Sequence, residues 1–322
     1  MVSRSMECMT APSVPPVTLN GIQGNKVQMP AIGFGVGSAW FKADEEKQRA
    51  LKQALEQALD EGFRHIDDAE LYQNEQCTGE AINAWLKKTG AKREDLFITH
   101  KVMSVDEGIE KVCDQSLHRM GLDYFDLYLI HAPFANDGTP FKKPLAEYWA
   151  EMEALAAAGK VKSIGVSNWR TSDLEQIVGA GIKPSCNQVE YNPFLQQPGL
   201  AEYCERNDIV VTCYGPQLPL TRGFLEGSLV EKPVNDAAHR LGVTPGQVLL
   251  RFAYQTDRIP ITTTSKAERM REYLGIFEFE LTDAEVEAIV LAGRAKQRRC
   301  SWRQCPQFSE NPVLDTMPEA SA

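Results

Sequence analysis

Residues 64–75 read R-H-I-D-D-A-E-L-Y-Q-N-E, and this stretch decides how the rest of the chain is interpreted. A short apolar segment ends at Asp67, and Tyr72 follows five residues later, ahead of a helical run that includes Ile82 and Leu86. The pattern predicts a strand that gives way to a helix, with a carboxylate and a phenol at the carboxyl end of the strand. A single pair of this kind is common, so its meaning depends on the other strand ends.

Three later apolar segments also end in polar side chains. Lys101 follows F-I-T-H, His131 follows Y-L-I, and the pair S-N at 167–168 follows S-I-G-V. In an α/β barrel the carboxyl ends of all the strands meet on one rim, where the catalytic groups lie. If these segments are strands of one barrel, their polar ends converge with the acid and the phenol.

Strand and helix patterns alternate along the chain. The apolar runs are short and uninterrupted, which is typical of parallel strands covered on both faces. Eight of them lie at or end near residues 31–36, 63–67, 96–101, 125–130, 161–166, 188, 214 and 259–261, with helical patterns at 44–62, 106–119 and 144–157 among those between them. We predict a single (β/α)8 TIM barrel, since such barrels occupy about 250 residues or more as one domain.

The sequence at 44–62 carries signals for both the start and the end of a helix. Asp44 is the predicted N-cap and Gly62 the predicted stop. Between them lies one apolar stripe, formed by Ala50, Leu51, Ala54, Leu55, Ala58 and Leu59. The stripe predicts that this helix packs on the core through one side.

The two ends of the chain differ from the barrel pattern. Residues 1–16 contain three prolines and no apolar signal segment, which predicts a mobile tail. Residues 17–29 carry N-G and G-N turn dipeptides between apolar residues, which predicts a hairpin. We therefore assign 17–322 to one domain that ends in a loop at 295–322.

Composition limits the classes of function. The 322 residues are 43% hydrophobic and 24% charged, with a net charge of −10 and a pI near 5.2, which argues against a nucleic-acid partner. No apolar run approaches the ~18 residues of a membrane span. The eight cysteines are scattered, so a reducing cytoplasm and no metal site are expected, with Cys300 and Cys305 as free thiols.

The ordered motifs together resemble the aldo-keto reductase family. They are I-D-D-A-E-L-Y-Q-N-E, the lysine after F-I-T-H, L-I-H-A-P, I-G-V-S-N and N-Q-V-E, and the resemblance covers residues 17–295. The ending I-P-I-T-T-T-S-K-A-E-R, then F-E-F-E-L-T-D-A-E-V, is most similar to a fungal branch that includes conjugated polyketone and ketopantoyl lactone reductases. The resemblance implies a barrel whose floor is plugged by the N-terminal hairpin and whose pocket is bordered by the C-terminal loop.

The resemblance also implies a catalytic tetrad of Asp67, Tyr72, Lys101 and His131. Carbonyl reduction needs a proton donor at the oxygen that gains charge, and the phenol of Tyr72 is the expected donor. We expect the Lys101 ammonium to lower the pKa of this phenol, and Asp67 to keep Lys101 charged. His131 is expected to orient the carbonyl, whereas His100 should point away from the rim because side chains alternate along a strand.

NADPH is the cofactor that the resemblance implies. A predicted capping box, S-K-A-E at 265–268, starts a helix flanked by Lys266 and Arg269, and such a start attracts phosphate. The implied cofactor contacts are Gly37, Ser38, Ala39, Ser167, Asn168, Gln188, Tyr214, Gly215, Gln217, Thr263, Thr264, Ser265, Lys266 and Arg269. Asn168 and Gln188 would hold the carboxamide, and Tyr214 would stack on the nicotinamide.

The chain departs from the family pattern at several points. Asp68 stands where Thr is usual, Thr263 where a cofactor-binding Lys is usual, and Ala132 where Trp often follows the catalytic His. The implied substrate contacts are Trp40, His131, Ala132 and Trp302. The missing indole and the few polar residues favour a bulky or cyclic vicinal dicarbonyl over a sugar.

We therefore expect an enzyme that reduces an aldehyde or activated ketone, acting as a monomer or weak homodimer on a small molecule. One alternative is a cofactor-binding regulatory or sensor subunit, since barrels of this superfamily also serve as ion-channel partners. Another is an unrelated phosphate-binding barrel such as an isomerase. The intact tetrad favours the reductase.

Overall fold

The computed structural model describes residues 13–42, 44–179, 181–303, 305 and 308. Strands β1 (Pro16–Asn20) and β2 (Lys26–Pro30) form an antiparallel hairpin. The parallel strands that follow are β3 (Gly33–Gly35), β4 (His65–Asp67), β5 (Phe97–Val102), β6 (Leu127–Ile130), β7 (Ile164–Ser167), β8 (Cys186–Glu190), β9 (Val210–Tyr214) and β10 (Arg258–Thr262). They close into a barrel in chain order, with β10 pairing to β3. The predicted (β/α)8 barrel is confirmed.

Helices surround the barrel. They are α1 (Glu45–Glu61), α2 (Glu75–Thr89), α3 (Ile109–Met120), α4 (Leu145–Ala157), α5 (Thr171–Leu174), α6 (Pro198–Arg206), α7 (Leu218–Thr221), α8 (Glu231–Leu241), α9 (Pro245–Gln255), α10 (Ala267–Leu274) and α11 (Asp283–Arg294). Short 3-10 turns lie at Ile22–Gly24, Glu70–Tyr72, Arg93–Asp95, Val105–Glu107 and Gly275–Phe277. No helix among the described residues is both long and apolar enough to cross a membrane.

The hairpin closes the floor of the barrel. Its buried Leu19 and Met29 pack against Phe97 and Leu127, the first residues of β5 and β6. The hairpin begins at Pro16, inside the segment predicted as a tail, because Pro16 pairs with Pro30. Residues 1–12 of that predicted tail lie outside the described residues.

Helix α1 follows its predicted signals closely. The Asp44 carboxylate accepts a hydrogen bond from the Lys47 amide at 2.9 Å, and Gly62 ends the helix with φ 118°. Glycine adopts this left-handed conformation without a steric penalty. The predicted stripe is buried except for Ala50, which is exposed.

Other predicted bounds are shifted. The first barrel strand is three residues, Gly33–Gly35, rather than 31–36, because the pairing with β10 covers only Gly33 and Phe34 and the pairing with β4 only Phe34 and Gly35. The helix predicted at 106–119 is interrupted at Gly108, whose φ of 96° is incompatible with helical geometry. The chain therefore forms a 3-10 turn before α3.

Alternation along β5 separates the two layers of the core. Thr99 and Lys101 face the barrel interior, whereas Ile98 and Val102 join the cluster that packs under the helices. His100 is on this outer side, where its ring stacks on Phe125 at 4.6 Å. The prediction that His100 points away from the catalytic rim is confirmed.

Candidate active site

Three neighbouring strand ends place the four predicted catalytic side chains together on one rim. Asp67 ends β4, Lys101 lies near the end of β5, and His131 follows β6. The Lys101 ammonium donates to Asp67 Oδ1 at 2.6 Å and to the Tyr72 hydroxyl at 3.3 Å. The rings of Tyr72 and His131 meet edge to face with centroids 5.7 Å apart. A proton donor, an ammonium and an imidazole therefore face one point.

The charges of this group follow from burial and from its neighbours. Burial opposes the charge of Lys101, but Asp67 and then Tyr72 raise its pKa above the usual value, so the ammonium is retained. Burial raises the pKa of Tyr72 and outweighs the opposite effect of Lys101. Lys101 lowers the phenol pKa as expected, but the expectation left out the loss of solvent, which raises the pKa by more. The phenol stays protonated at neutral pH and is able to donate.

His131 is held neutral. Burial is the main cause that keeps its pKa well below the usual value, and the nearby Lys101 adds to the effect. Its Nδ1 is buried without a hydrogen-bond partner among the described residues. A neutral imidazole carries one N–H, so His131 can donate a hydrogen bond to a carbonyl oxygen without competing as an acid.

Gly37 and Asn74 explain why the phenol sits where it does. A Cβ at Gly37 would lie 2.7 Å from Tyr72 Cζ, so only glycine lets the ring rest against this loop. The Asn74 amide donates to the Val36 carbonyl at 2.7 Å and fixes the same loop. The sequence analysis gave Asn74 no role, although its place two residues after the phenol in the opening motif was a signal.

Polar side chains from the next strands frame the catalytic group. Gln188 donates to Asp67 Oδ2 at 2.7 Å, and Asn168 donates to the His131 carbonyl at 2.9 Å. The Tyr214 hydroxyl donates to Asn168 Oδ1 at 2.7 Å. Ser167 donates to the Gln188 carbonyl at 2.8 Å. These four predicted cofactor residues form one continuous hydrogen-bonded side of the rim.

The loop after β9 is tied to the end of β10. Gly215 has φ 74°, a left-handed conformation that glycine tolerates. The Gln217 amide donates to the Gly246 carbonyl at 3.2 Å, and its oxygen accepts from Thr262 at 2.7 Å. Gln217 thus has structural partners on two elements besides any cofactor contact.

The start of α10 differs from the predicted capping box. Helix α10 has Lys266 at its N-cap without a side-chain cap, and Ser265 is exposed. The Lys266 amide donates instead to Thr264 Oγ1 at 3.2 Å. Lys266 and Arg269 are exposed at the helix start, and Thr263 Oγ1 is buried without a partner in the described part of the chain.

The predicted substrate residues fall into two groups. Trp302 lies edge-on to His131, with ring centroids 6.0 Å apart, and borders the site. Ala132 is fully buried in an apolar cluster with Phe134, so its small side chain leaves space that other side chains fill. Trp40 is 4% exposed and its ring packs near Phe34, so its contact with a substrate stays a prediction. Its neighbour Phe41 is 41% exposed, and its ring centroid lies 6.4 Å from that of Tyr72.

Asp68 turns away from the reacting groups. Its Oδ1 accepts from the Ala69 amide at 2.7 Å, and its Oδ2 is buried without a partner among the described residues. Only its backbone carbonyl meets the catalytic lysine, accepting from Lys101 Nζ at 3.1 Å. Burial raises the pKa of the Asp68 carboxyl to about 6.

Comparisons with known proteins agree with this geometry. A sequence profile of the Aldo/keto reductase family matches residues 31–292. The chain is 39% identical over 285 residues to an NAD/NADP-dependent indole-3-acetaldehyde reductase of Schizosaccharomyces pombe, covering 86% of this chain and 95% of that protein. It is 34% identical over 290 residues to an NADPH-dependent alpha-keto amide reductase of Saccharomyces cerevisiae, covering 86% and 90%. A solved aldo-keto reductase complexed with NADPH superposes with a TM-score of 0.82 at 30% identity, covering 97% of both chains. The chain belongs to the aldo/keto reductase family.

Proposed function

We propose that this protein is an NADPH-dependent carbonyl reductase that converts an aldehyde or activated ketone into the alcohol. The observation that carries the proposal is the contact chain on the rim, where Lys101 Nζ lies 2.6 Å from Asp67 and 3.3 Å from the Tyr72 hydroxyl. A structural ion pair needs no phenol, and a phenol without a neighbouring cation is a poor proton donor. The three groups together suit proton transfer to an oxygen that gains charge.

The residues act in a defined order on a substrate carbonyl. His131 and Tyr72 each offer one hydrogen to the oxygen and so orient the carbonyl group. NADPH, when bound, would supply a hydride to the carbonyl carbon. Tyr72 would give its proton to the carbonyl oxygen. The phenolate left behind is stabilised by Lys101, whose charge Asp67 maintains. Reprotonation of the phenol restores the site.

Several features of the rim fit the phosphates and the amide of NADPH. Lys266 and Arg269 are exposed cations at the start of α10, where the helix dipole also favours an anion. The Thr263 hydroxyl, three residues before Lys266, is buried and has no partner in the described part of the chain. We assign the 2′-phosphate to these cations and the carboxamide to Asn168 and Gln188. The S. cerevisiae relative is described as NADPH-dependent, which supports the choice of cofactor.

The pocket walls favour an activated ketone over a sugar. The side chains that border the catalytic group are largely aromatic, with Phe41 on one side and Trp302 on the other. The amides of Asn168 and Gln188 are already hydrogen-bonded within the protein. A polyhydroxylated substrate would leave buried hydroxyls without partners, at a cost of about 1 to 3 kcal/mol each. A cyclic vicinal dicarbonyl lacks this penalty.

The experiment is a panel assay that follows NADPH absorbance with ketopantoyl lactone, isatin and xylose. We expect oxidation with the lactone and isatin, and a kcat/KM at least about tenfold lower for xylose. NADPH binding without oxidation by any carbonyl would instead indicate a sensor or regulatory subunit, a role that no observation favours. A preference for xylose would contradict the pocket assignment and leave the reductase assignment intact.

A further inference from the structure

A carboxylate outside the catalytic group holds the C-terminal segment. Glu190 ends β8, two residues after Gln188, and has no exposed surface. Its Oε1 accepts from the Cys300 amide at 2.8 Å, and its Oε2 accepts from the Ser301 amide at 2.6 Å. Hydrogen bonds to an ionised acceptor are roughly twice as strong as neutral ones, so two successive amides are held firmly.

The hydrogen bonds from the Cys300 and Ser301 amides compensate for the burial of the Glu190 carboxylate. Burial raises the pKa of Glu190, and the amides of Cys300 and Ser301, followed by the charge of Arg299, oppose that effect. If the segment moved away, the carboxylate would lose these donors while still enclosed by the barrel end. A buried charge without donors is strongly unfavourable, so the segment and the carboxylate stabilise each other.

The amides of Cys300 and Ser301 directly precede Trp302, whose side chain forms part of the pocket wall. Trp302 follows Ser301 with φ 59°, a left-handed conformation that is costly for a residue other than glycine and persists only where the surroundings enforce it. Its ring lies 6.0 Å from His131 and 5.4 Å from Phe134, centroid to centroid. The carboxylate therefore fixes the backbone from which the indole reaches the catalytic imidazole.

We propose that Glu190 is a positioning residue for substrate recognition, whose carboxylate holds the Cys300 and Ser301 amides so that Trp302 forms the pocket wall beside His131. The proposal rests on the reductase function for its kinetic consequences. It assigns to the last residue of N-Q-V-E a role that is separate from cofactor binding and proton transfer.

The test compares Glu190→Gln with Asp126→Asn. Asp126 serves as the control, because it is also a buried carboxylate that accepts from a backbone amide, that of Ile98 at 2.9 Å, but on the barrel floor, where it also pairs with Arg93 and Lys162. Glutamine keeps one acceptor and turns an N–H donor toward the other amide. We expect KM for isatin to rise about tenfold in Glu190→Gln, with a smaller change in kcat, and to stay within about twofold in Asp126→Asn.

Two further measurements separate positioning from general destabilisation. Subtracting the tryptophan fluorescence spectrum of the Trp302→Phe variant from that of the protein gives the emission of Trp302. In the Glu190→Gln background we expect this Trp302 emission to shift to longer wavelength. In a Trp302→Ala background, Glu190→Gln should change KM by less than about twofold, because the two act as one unit. Unchanged Trp302 emission, or an undiminished effect without the indole, would overturn the proposal. If the unaltered protein turns over no carbonyl, the proposed function fails, and the emission measurement still decides whether Glu190 positions Trp302.

Discussion

Asp68 is the residue closest to the reacting groups at which the chain departs from the family pattern. Its carboxylate is fully buried, and one oxygen has no partner among the described residues. The charged groups that act on it are His100 and Lys101, which favour its ionised form, and Glu75, which opposes it. Burial outweighs them and raises the pKa of Asp68 to about 6 from the ordinary 3.8. An ionised Asp68 therefore costs the folded state free energy.

We predict that Asp68→Asn stabilises the protein at about pH 8 and has little effect on stability near pH 4. Between the unfolded and folded pKa values the folded state binds more protons than the unfolded state, so the contribution of Asp68 to stability falls as pH rises. A shift of this size corresponds to at most about 3 kcal/mol. Asparagine keeps the oxygen that accepts from Ala69. Thermal unfolding of both proteins across this pH range checks the prediction, and a lower Tm for the variant at every pH would contradict it.

At the residue scale the sequence was informative about chemistry and poor about electrostatics. The identity of Asp67, Tyr72 and Lys101 as a group could be predicted, because each stands at a predicted strand end and parallel strands share a rim. The direction of the Tyr72 pKa shift could not be predicted, because the burial of the ring depends on every element that covers it. The exposure of Phe41 beside the buried Trp40 depends on a loop conformation that the motif does not encode.

At the scale of elements, helix α10 carries the cations proposed to bind the 2′-phosphate of NADPH, so substitutions in this helix test the cofactor proposal. Its first turn presents Lys266 and Arg269 to solvent, whereas Arg271 turns toward α1 and pairs with Glu61 at 2.6 Å. The predicted capping box does not form, because the N-cap is Lys266, one residue later than the S-x-x-E pattern suggests. The cations nevertheless remain at the helix start.

We predict that Arg269→Ala weakens NADPH binding about ten- to a hundredfold and leaves NADH binding nearly unchanged. Only NADPH carries the 2′-phosphate, and a hydrogen bond to a charged group contributes about 1.5 to 3 kcal/mol. The measurement is the Kd of both cofactors by fluorescence titration. Arg271→Ala is the control on the same helix and should change neither the Kd for NADPH nor the Kd for NADH. An equal loss for NADPH and NADH would show that Arg269 contacts adenine or supports the helix instead.

Helices were predicted better than strands because their signals are local. The cap and the stop of α1 lie within the helix and its two neighbouring residues, and both were correct. Strand bounds depend on which neighbours pair, so β3 is shorter than its apolar run. The Glu190 contact joins residues 110 positions apart, and no local pattern indicates it.

At the scale of the whole molecule, the apolar residues that stabilise the barrel floor and the residues proposed for catalysis lie at opposite ends of the barrel. The hairpin and the first residues of the strands form an apolar floor, where Leu19 packs against Phe97. The opposite rim carries the buried pair of Asp67 and Lys101, the hydrogen-bonded amides and the aromatic walls. Because the proposed cofactor contacts and the proposed proton donor come from different strands, we expect that one can be removed without the other.

Tyr72→Phe tests that separation, and with it the central claim, most directly. The hydroxyl is lost while Lys101 keeps its bonds to Asp67 and to the Asp68 carbonyl, so the fold and the cofactor site should be preserved. The measurement is the single-turnover rate of NADPH oxidation with ketopantoyl lactone, beside the Kd for NADPH. We predict an unchanged Kd and a rate lower by about 10² to 10⁴. A variant that binds NADPH normally and keeps more than about a tenth of the rate would contradict the assignment of Tyr72 as the proton donor.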